Sequence, residues 1–174
     1  MIRPLVTHPD PRLRQRSRTV DKFDDELRTL VDDMIDTMRD ADGIGLAAVQ
    51  IGVHLRVAVM EVGDSPLRVM INPQYEAIGE PMPLEEGCLS VPGVQEKGKA
   101  RNNRLWVRAQ DLDGKPYEFE AEGLEAACVQ HECDHIDGKL YIDRLSPVRR
   151  QRVLRRYAAL QKRGPDEDQE RAGG

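Results

Sequence analysis

The run His131-Glu132-Cys133-Asp134-His135 carries the clearest chemistry in the chain. Two histidines four positions apart share one face of a helix, about 40° apart around its axis, and Glu132 projects roughly 100° from His131. One metal ion can take both imidazoles. The neighbouring carboxylate then stands where it can handle the proton of a bound water, which is the chemistry of metal-assisted hydrolysis. The set is incomplete, because a catalytic metal of this kind usually has three protein ligands and an open position. The plainer reading of the same five residues is a pair of surface histidines on an amphipathic helix.

Sulfur is the next donor to look for, and the chain has three cysteines, Cys88, Cys128 and Cys133. On the helix that carries the histidines Cys133 points roughly opposite His131, which removes it as a ligand. Cys128 falls on the same side as Leu124, His131 and His135, where it either lines a pocket or packs in a core. Cys88 lies in Glu85-Glu86-Gly87-Cys88-Leu89-Ser90-Val91-Pro92-Gly93, between a small residue and a turn. That setting can leave a sulfur accessible, although a lone cysteine is more often inert and buried. The other two histidines, His8 and His54, read as packing or surface residues.

The elements that must position these groups follow from periodicity. From Asp24 to Ala41 apolar side chains fall at Leu27, Leu30, Val31, Met34, Ile35 and Met38, one buried helical stripe that Gly43 stops. Gly43-Ile44-Gly45-Leu46-Ala47-Ala48 then matches a loose dinucleotide-binding fingerprint, with Glu61 at a tolerable distance for a ribose contact. Context rejects it. A dinucleotide loop follows a strand and opens a helix, whereas this one follows a helix and meets Gly52 too soon. It is expected to be a glycine-bounded extended segment whose backbone can approach a ligand, with the Gln50 amide as a donor. Residues 55–62 and 67–71 read as strands joined through Gly63-Asp64-Ser65-Pro66, the second ended by Asn72-Pro73. Residues 104–110 and 117–121 alternate around Asp113-Gly114, a hairpin signal. The metal helix starts after Gly123 and ends at Asp137-Gly138, and Ser146-Pro147 opens a last helix to about Arg163. Residues 1–163 are read as one catalytic domain, and the acidic tail 164–174 as disordered.

Composition narrows the function classes. The chain has 174 residues, 39% hydrophobic and 33% charged, which suits one globular domain rather than a disordered segment. A net charge of -5 argues weakly against a general nucleic-acid binder, and no specific DNA contact is expected. No apolar run approaches membrane-spanning length, so no membrane is expected. An odd cysteine count with no secretory segment points to the cytoplasm.

Three runs stand in one chain in this order: Gly43-Ile44-Gly45-Leu46-Ala47-Ala48-Val49-Gln50, Glu86-Gly87-Cys88-Leu89-Ser90, and Gln130-His131-Glu132-Cys133-Asp134-His135. Together they closely resemble the peptide deformylase family. The resemblance implies an α+β fold of mostly antiparallel sheets packed around a central metal-binding helix, with an N-terminal and a C-terminal helix. It implies removal of the N-formyl group from the initiator methionine of newly made polypeptides. Cys88 joins His131 and His135 as the third metal ligand, and the implied metal is Fe2+, with Zn2+, Ni2+ or Co2+ as substitutes. Glu132 becomes the base, while the Gln50 amide and the Leu89 backbone N–H receive developing negative charge. The resemblance also places the N-formylmethionyl peptide along Ile44, Gly45 and Gly87. It sets Leu84, Leu124, Ala127 and Cys128 around the methionine side chain, and Arg101 at the pocket mouth.

Two rivals share parts of this pattern. A zinc endopeptidase uses His-Glu-x-x-His, but the Cys88 run does not fit it. A structural site of one cysteine and two histidines needs a fourth protein ligand, and the adjacent Asp134 projects away. Finally, a helical wheel over Val148 to Arg163 puts Val153, Leu154, Tyr157, Ala158 and Leu160 on one half. Arg149, Arg152, Arg155, Arg156, Lys162 and Arg163 fall on the other half, and Arg150 stands among the apolar residues. That cationic face is either a solvated surface or a contact for the ribosome.

Overall fold

Three α-helices, three short 3-10 helices and nine strands make up the computed structural model, which describes residues 1–163; the expected tail, 164–174, lies outside the described residues. Helix α1 is Asp25–Asp40, and the Asp24 carboxylate accepts the Leu27 N–H at its start. Strands β1 (Gly45–Ala47), β2 (Val57–Met60), β3 (Arg68–Ala77), β8 (Arg104–Gln110) and β9 (Pro116–Glu122) form one antiparallel sheet in the order β1-β2-β3-β8-β9. The intervening strands pair as two small ribbons, β4 (Pro81–Met82) with β7 (Arg101–Asn102) and β5 (Glu85–Cys88) with β6 (Val91–Lys97). Helix α2 is Gly123–Ile136 and α3 is Pro147–Arg163.

The class is α+β with the histidine helix at the centre, and alternation along β2 explains why. All four of its residues are buried. Val57 and Val59 pack with α1 residues such as Leu30 and Met34, while Ala58 and Met60 pack with Ala126, Val129 and Ile136 of α2. A strand with helices on both faces needs apolar residues at every position, not at every second one. Farther along the sheet only one face is covered: Leu105, Val107 and Ala109 of β8 are buried, whereas Arg104 and Arg108 are exposed and pair with Glu120 and Glu118 of β9.

Two local readings change. The 43–52 segment is extended for only three residues; Ala48–Ile51 is a 3-10 helix, held because the Gln50 side chain accepts the Ala47 N–H at 3.0 Å. Asn72-Pro73 does not end β3. The register slips between Ile71 and Gln74, Asn72 takes a φ of 52°, and the proline sits in this bulge where no ladder bond is required of it. The Asn72 side chain secures the kink by binding both Val20 N–H and Val20 C=O at 2.9 Å. After Ser90 the chain forms β6 and completes a hairpin beside Cys88.

Gly138 shows why α2 stops where it does. Its φ is 77°, and a Cβ there would meet the Arg14 carbonyl oxygen at 2.5 Å. Lys139 N–H, two residues after the Asp137 cap, bonds back to the Asp134 carbonyl at 2.8 Å and closes the helix end.

Candidate active site

Helix α2 presents His131 and His135 on adjacent turns, and the β5–β6 hairpin brings Cys88 against them. His131 Nε2 lies 3.1 Å from His135 Nε2, which lies 3.3 Å from Cys88 Sγ, and all three atoms fall within 4.8 Å of one another. Ligand bonds of about 2.0–2.3 Å hold neighbouring donor atoms roughly 3.4 Å apart around a tetrahedral ion. The donor set and its spacing therefore fit one metal. Asp134 turns away from this cluster, so a fourth protein ligand is missing among the described residues.

A second set of contacts orients the ligands. The Glu86 carboxylate accepts from His131 Nδ1 at 3.0 Å, which places the proton on Nδ1 and leaves Nε2 with its lone pair toward the cluster. Arg101 donates twice to Glu86, at 2.8 and 3.1 Å, and once to Asp134 at 2.7 Å. Burial works to raise the Glu86 carboxyl, but the His131 and Arg101 hydrogen bonds outweigh it and hold it at about 2. Arg101 is thus corrected: it is 2% exposed and absent from the cavity wall, not at the pocket mouth. Its charge is stable there because two carboxylates flank it. Arg101→Leu is expected to leave Asp134 without its partner and Glu86 with His131 alone, and to cost about 3–5 kcal/mol of stability in denaturant unfolding of the metal-loaded protein. An unchanged midpoint would mean that the carboxylates reach water.

Glu132 is 3% exposed, and its Oε2 has no hydrogen-bond partner. Burial pushes its carboxyl up to about 7, against the pull of His131 and Arg101. Such a group can take and return a proton near neutral pH. Gly45 faces it so closely that a Cβ would lie 2.8 Å from Glu132 Oε1 and 2.6 Å from Cys128 Sγ. A side chain at this position would have to displace both the carboxylate and the Cys128 sulfur. Gln50 is buried, and because the Ala47 N–H must face its Oε1, its Nε2 is turned toward Ser90 Oγ at 3.1 Å and Cys88 Sγ at 3.7 Å.

These groups open on a cavity of about 880 Å3. Ile44, Gly45, Gln50, Leu84, Gly87, Cys88, Leu89, Leu124, Ala127, Cys128, His131 and Glu132 all line it, while His135 is fully buried. Burial raises the Cys128 thiol well above its usual range, so it is a neutral, apolar part of the wall.

The model of the polypeptide deformylase family matches residues 2–151. The chain belongs to the polypeptide deformylase family. It is similar to the peptide deformylase of Chromohalobacter salexigens, 51% identical over 162 residues that cover 91% of this chain and 93% of that protein. Among solved structures, the Legionella pneumophila peptide deformylase superposes with a TM-score of 0.88 at 44% identity, covering 95% of this chain and 100% of that one. The Ehrlichia chaffeensis peptide deformylase in complex with actinonin superposes with a TM-score of 0.87 at 37% identity, covering 94% and 98%. This deformylase is therefore an enzyme, a metal-binding hydrolase of formylated polypeptides, and neither the endopeptidase nor the structural-metal reading has support in these relatives.

Residue-by-residue reading overlooked Glu86 as the partner of His131. A signal for it existed: in a strand Glu86 and Cys88 are two apart and so point to the same face. The wall formed by Pro92, Gly93, Val94 and Gln95 carried no such signal, because it depends on β6 folding back over β5.

Proposed function

We propose that this deformylase removes the formyl group from the initiator methionine of new chains, with Cys88, His131 and His135 holding Fe2+ and Glu132 moving the proton. The observation that carries the reading is the convergence of three metal donors and one unpartnered buried carboxylate on a single cavity wall. Iron follows the family resemblance; the donors alone suit Zn2+, Ni2+ or Co2+ as well. When bound, the metal supplies Lewis acidity that makes hydroxide available near neutral pH.

The chain's own residues do the rest. Glu132 accepts the proton of the attacking water and later returns it to the leaving amine, so that formate and a free N-terminus result. As the formyl carbon becomes tetrahedral, its oxygen gains charge, and in this reading the Gln50 amide and the Leu89 N–H receive it. β1 is an edge strand paired only with β2, and β5 is paired only with β6, so each offers backbone groups to an extended peptide between them. Leu84, Leu124, Ala127 and Cys128 enclose the methionine side chain. Formate release from formyl-Met-Ala, no cleavage of unformylated Met-Ala, and inhibition by actinonin form the test. Cleavage of the Met-Ala bond would replace this reading with a peptidase.

The proposed setting is the cytoplasm, at the ribosome; the described residues contain no helix long and apolar enough to cross a membrane. Residues 1–163 act as one catalytic domain in this reading. α3 carries the contact, but not with all six cations. Arg152 is bound to Glu96 at 3.0 Å and Arg149 to the Lys97 carbonyl at 2.7 Å, so both dock the helix on β6. Val153 and Tyr157 are buried under it and Ala158 is exposed. Arg155, Arg156, Lys162 and Arg163 are exposed and available to RNA phosphates. Arg155→Glu with Arg156→Glu is expected to lower co-sedimentation with ribosomes at low salt. Equal sedimentation of both proteins would return α3 to a purely structural role.

A further inference from the structure

The inner stripe of α2 carries a buried carboxylate that the deformylation reaction does not use. Glu125, Cys128 and Glu132 recur at intervals of three and four residues, so they share one face of the helix. A cross-strand row of the sheet lies under that face: Gly45 of β1 partners Met60 of β2, and Met60 partners Arg68 of β3. Direct partners point to the same side of a sheet. Gly45 meets Cys128 and Glu132, Met60 packs in one cluster with Cys128 and Val129, and Arg68 meets Glu125. Arg68 Nε and Glu125 Oε2 are 3.9 Å apart, and neither atom finds a hydrogen-bond partner in the protein. The guanidinium carbon lies 4.0 Å from the centre of the Phe119 ring, a contact that favours the cation there.

Such a pair adds little stability, because the attraction of two charges roughly offsets the cost of withdrawing them from water, and apolar residues of similar volume do as well. What it does provide is position. The first turn of α2 is lightly tied. Gly123 N–H bonds to the Asn103 carbonyl at 2.9 Å and Ala126 brings one methyl group to the core, but Glu122 makes no side-chain cap and Leu124 is 51% exposed. The attraction between Arg68 and Glu125 draws this turn toward β3. Leu124 directly precedes Glu125, and Ala127 and Cys128 follow within one turn; all three line the cavity, whereas Arg68 and Glu125 do not. A shift of the turn therefore moves that wall relative to Ile44 and Leu84, which belong to other elements of the cavity. We propose that Arg68 and Glu125 are positioning residues for the first side chain of the substrate: their attraction fixes the first turn of α2 and sets how closely the cavity wall fits methionine.

This role rests on the proposed active site, and turnover of formyl-Met-Ala by the wild type tests that site separately; its absence would overturn both readings. In the active enzyme, Glu125→Gln and Arg68→Met are each expected to raise KM for formyl-Met-Ala about three- to ten-fold while kcat stays within about two-fold, as when contacting residues are uncoupled and binding is lost equally from ground and transition states. The preference for formyl-Met-Ala over formyl-Leu-Ala in kcat/KM should narrow in the same variants. Arg68→Lys keeps the charge and should stay closer to the wild type than Arg68→Met. The double variant Arg68→Met with Glu125→Leu separates position from stability. It should melt no lower than the wild type, since an apolar pair replaces the ion pair, yet keep the raised KM. A wild-type KM in either single variant, or a KM that returns to the wild-type value in the double variant, would overturn the proposal. So would a double variant that melts well below the wild type, which would make the pair structural. Where one single variant folds poorly, the double variant and Arg68→Lys decide the matter.

Discussion

Glu132→Ala is expected to keep its metal and lose about 10²–10⁴-fold in kcat, the usual worth of a positioned proton carrier. The ligands are not touched by the change: Cys88, His131 and His135 stay oriented by the hairpin, by Glu86 and by the buried end of α2. What disappears is the only carboxylate at the cavity wall that is both buried and without a partner. Because alanine also opens space next to Gly45 and Cys128, Glu132→Gln serves as the isosteric check and should lose activity to a similar extent. Stability should move the other way. A buried oxygen without a hydrogen bond costs about 1–3 kcal/mol, so removing the carboxylate should leave the melting temperature unchanged or higher. A residue with a merely structural role would lose both activity and stability. Hydrolysis of formyl-Met peptides by either variant within a few-fold of wild type would sink the proton-transfer role.

The second large effect is expected at Cys88. Serine presents a hard alcohol oxygen with a high pKa where the site needs a thiolate, so Cys88→Ser should bind metal poorly and come through gel filtration with far less than one ion per chain. Mass-spectrometric metal analysis reads this without reference to activity. The fold should persist, because Cys88 lies in a four-residue strand at the edge of the α3 core, and Val91, Tyr141 and Ile142 of that core are untouched. The same thiolate should make the Fe2+ form of the wild type lose activity in air faster than a Ni2+ or Zn2+ form, since iron cycles with oxygen beside an oxidisable sulfur. Full metal occupancy in Cys88→Ser would remove this sulfur from the coordination shell.

Local rules carried much of the molecule. The α1 stripe, the β8–β9 hairpin, the α2 boundaries and the Pro147 start of α3 were all legible, because each follows from side-chain period or from a residue with a special backbone. So was the pairing of His131 with His135, which is intrinsic to helix geometry. Cys88 was legible only through its resemblance to a family, since 43 residues separate it from His131 and no spacing rule spans that distance. The misreadings share one cause. Asn72-Pro73 looks like a strand end when only its own backbone is considered, yet the Val20 backbone accepts the Asn72 amide and stabilises a bulge. Arg101 looks like a surface cation, yet Glu86 and Asp134, 15 and 33 residues away in sequence, make its burial favourable.

What the sequence determined by itself is the helix that presents two imidazoles and a carboxylate, because neighbours along a helix are fixed by its pitch. Only the tertiary structure decided the third donor's position, the tautomer of His131 and the contact of Gly45 with Glu132. Each of these joins groups from different elements. Their distance depends on how the sheet, the hairpin and the helix pack, and packing is a property of the whole core rather than of any segment.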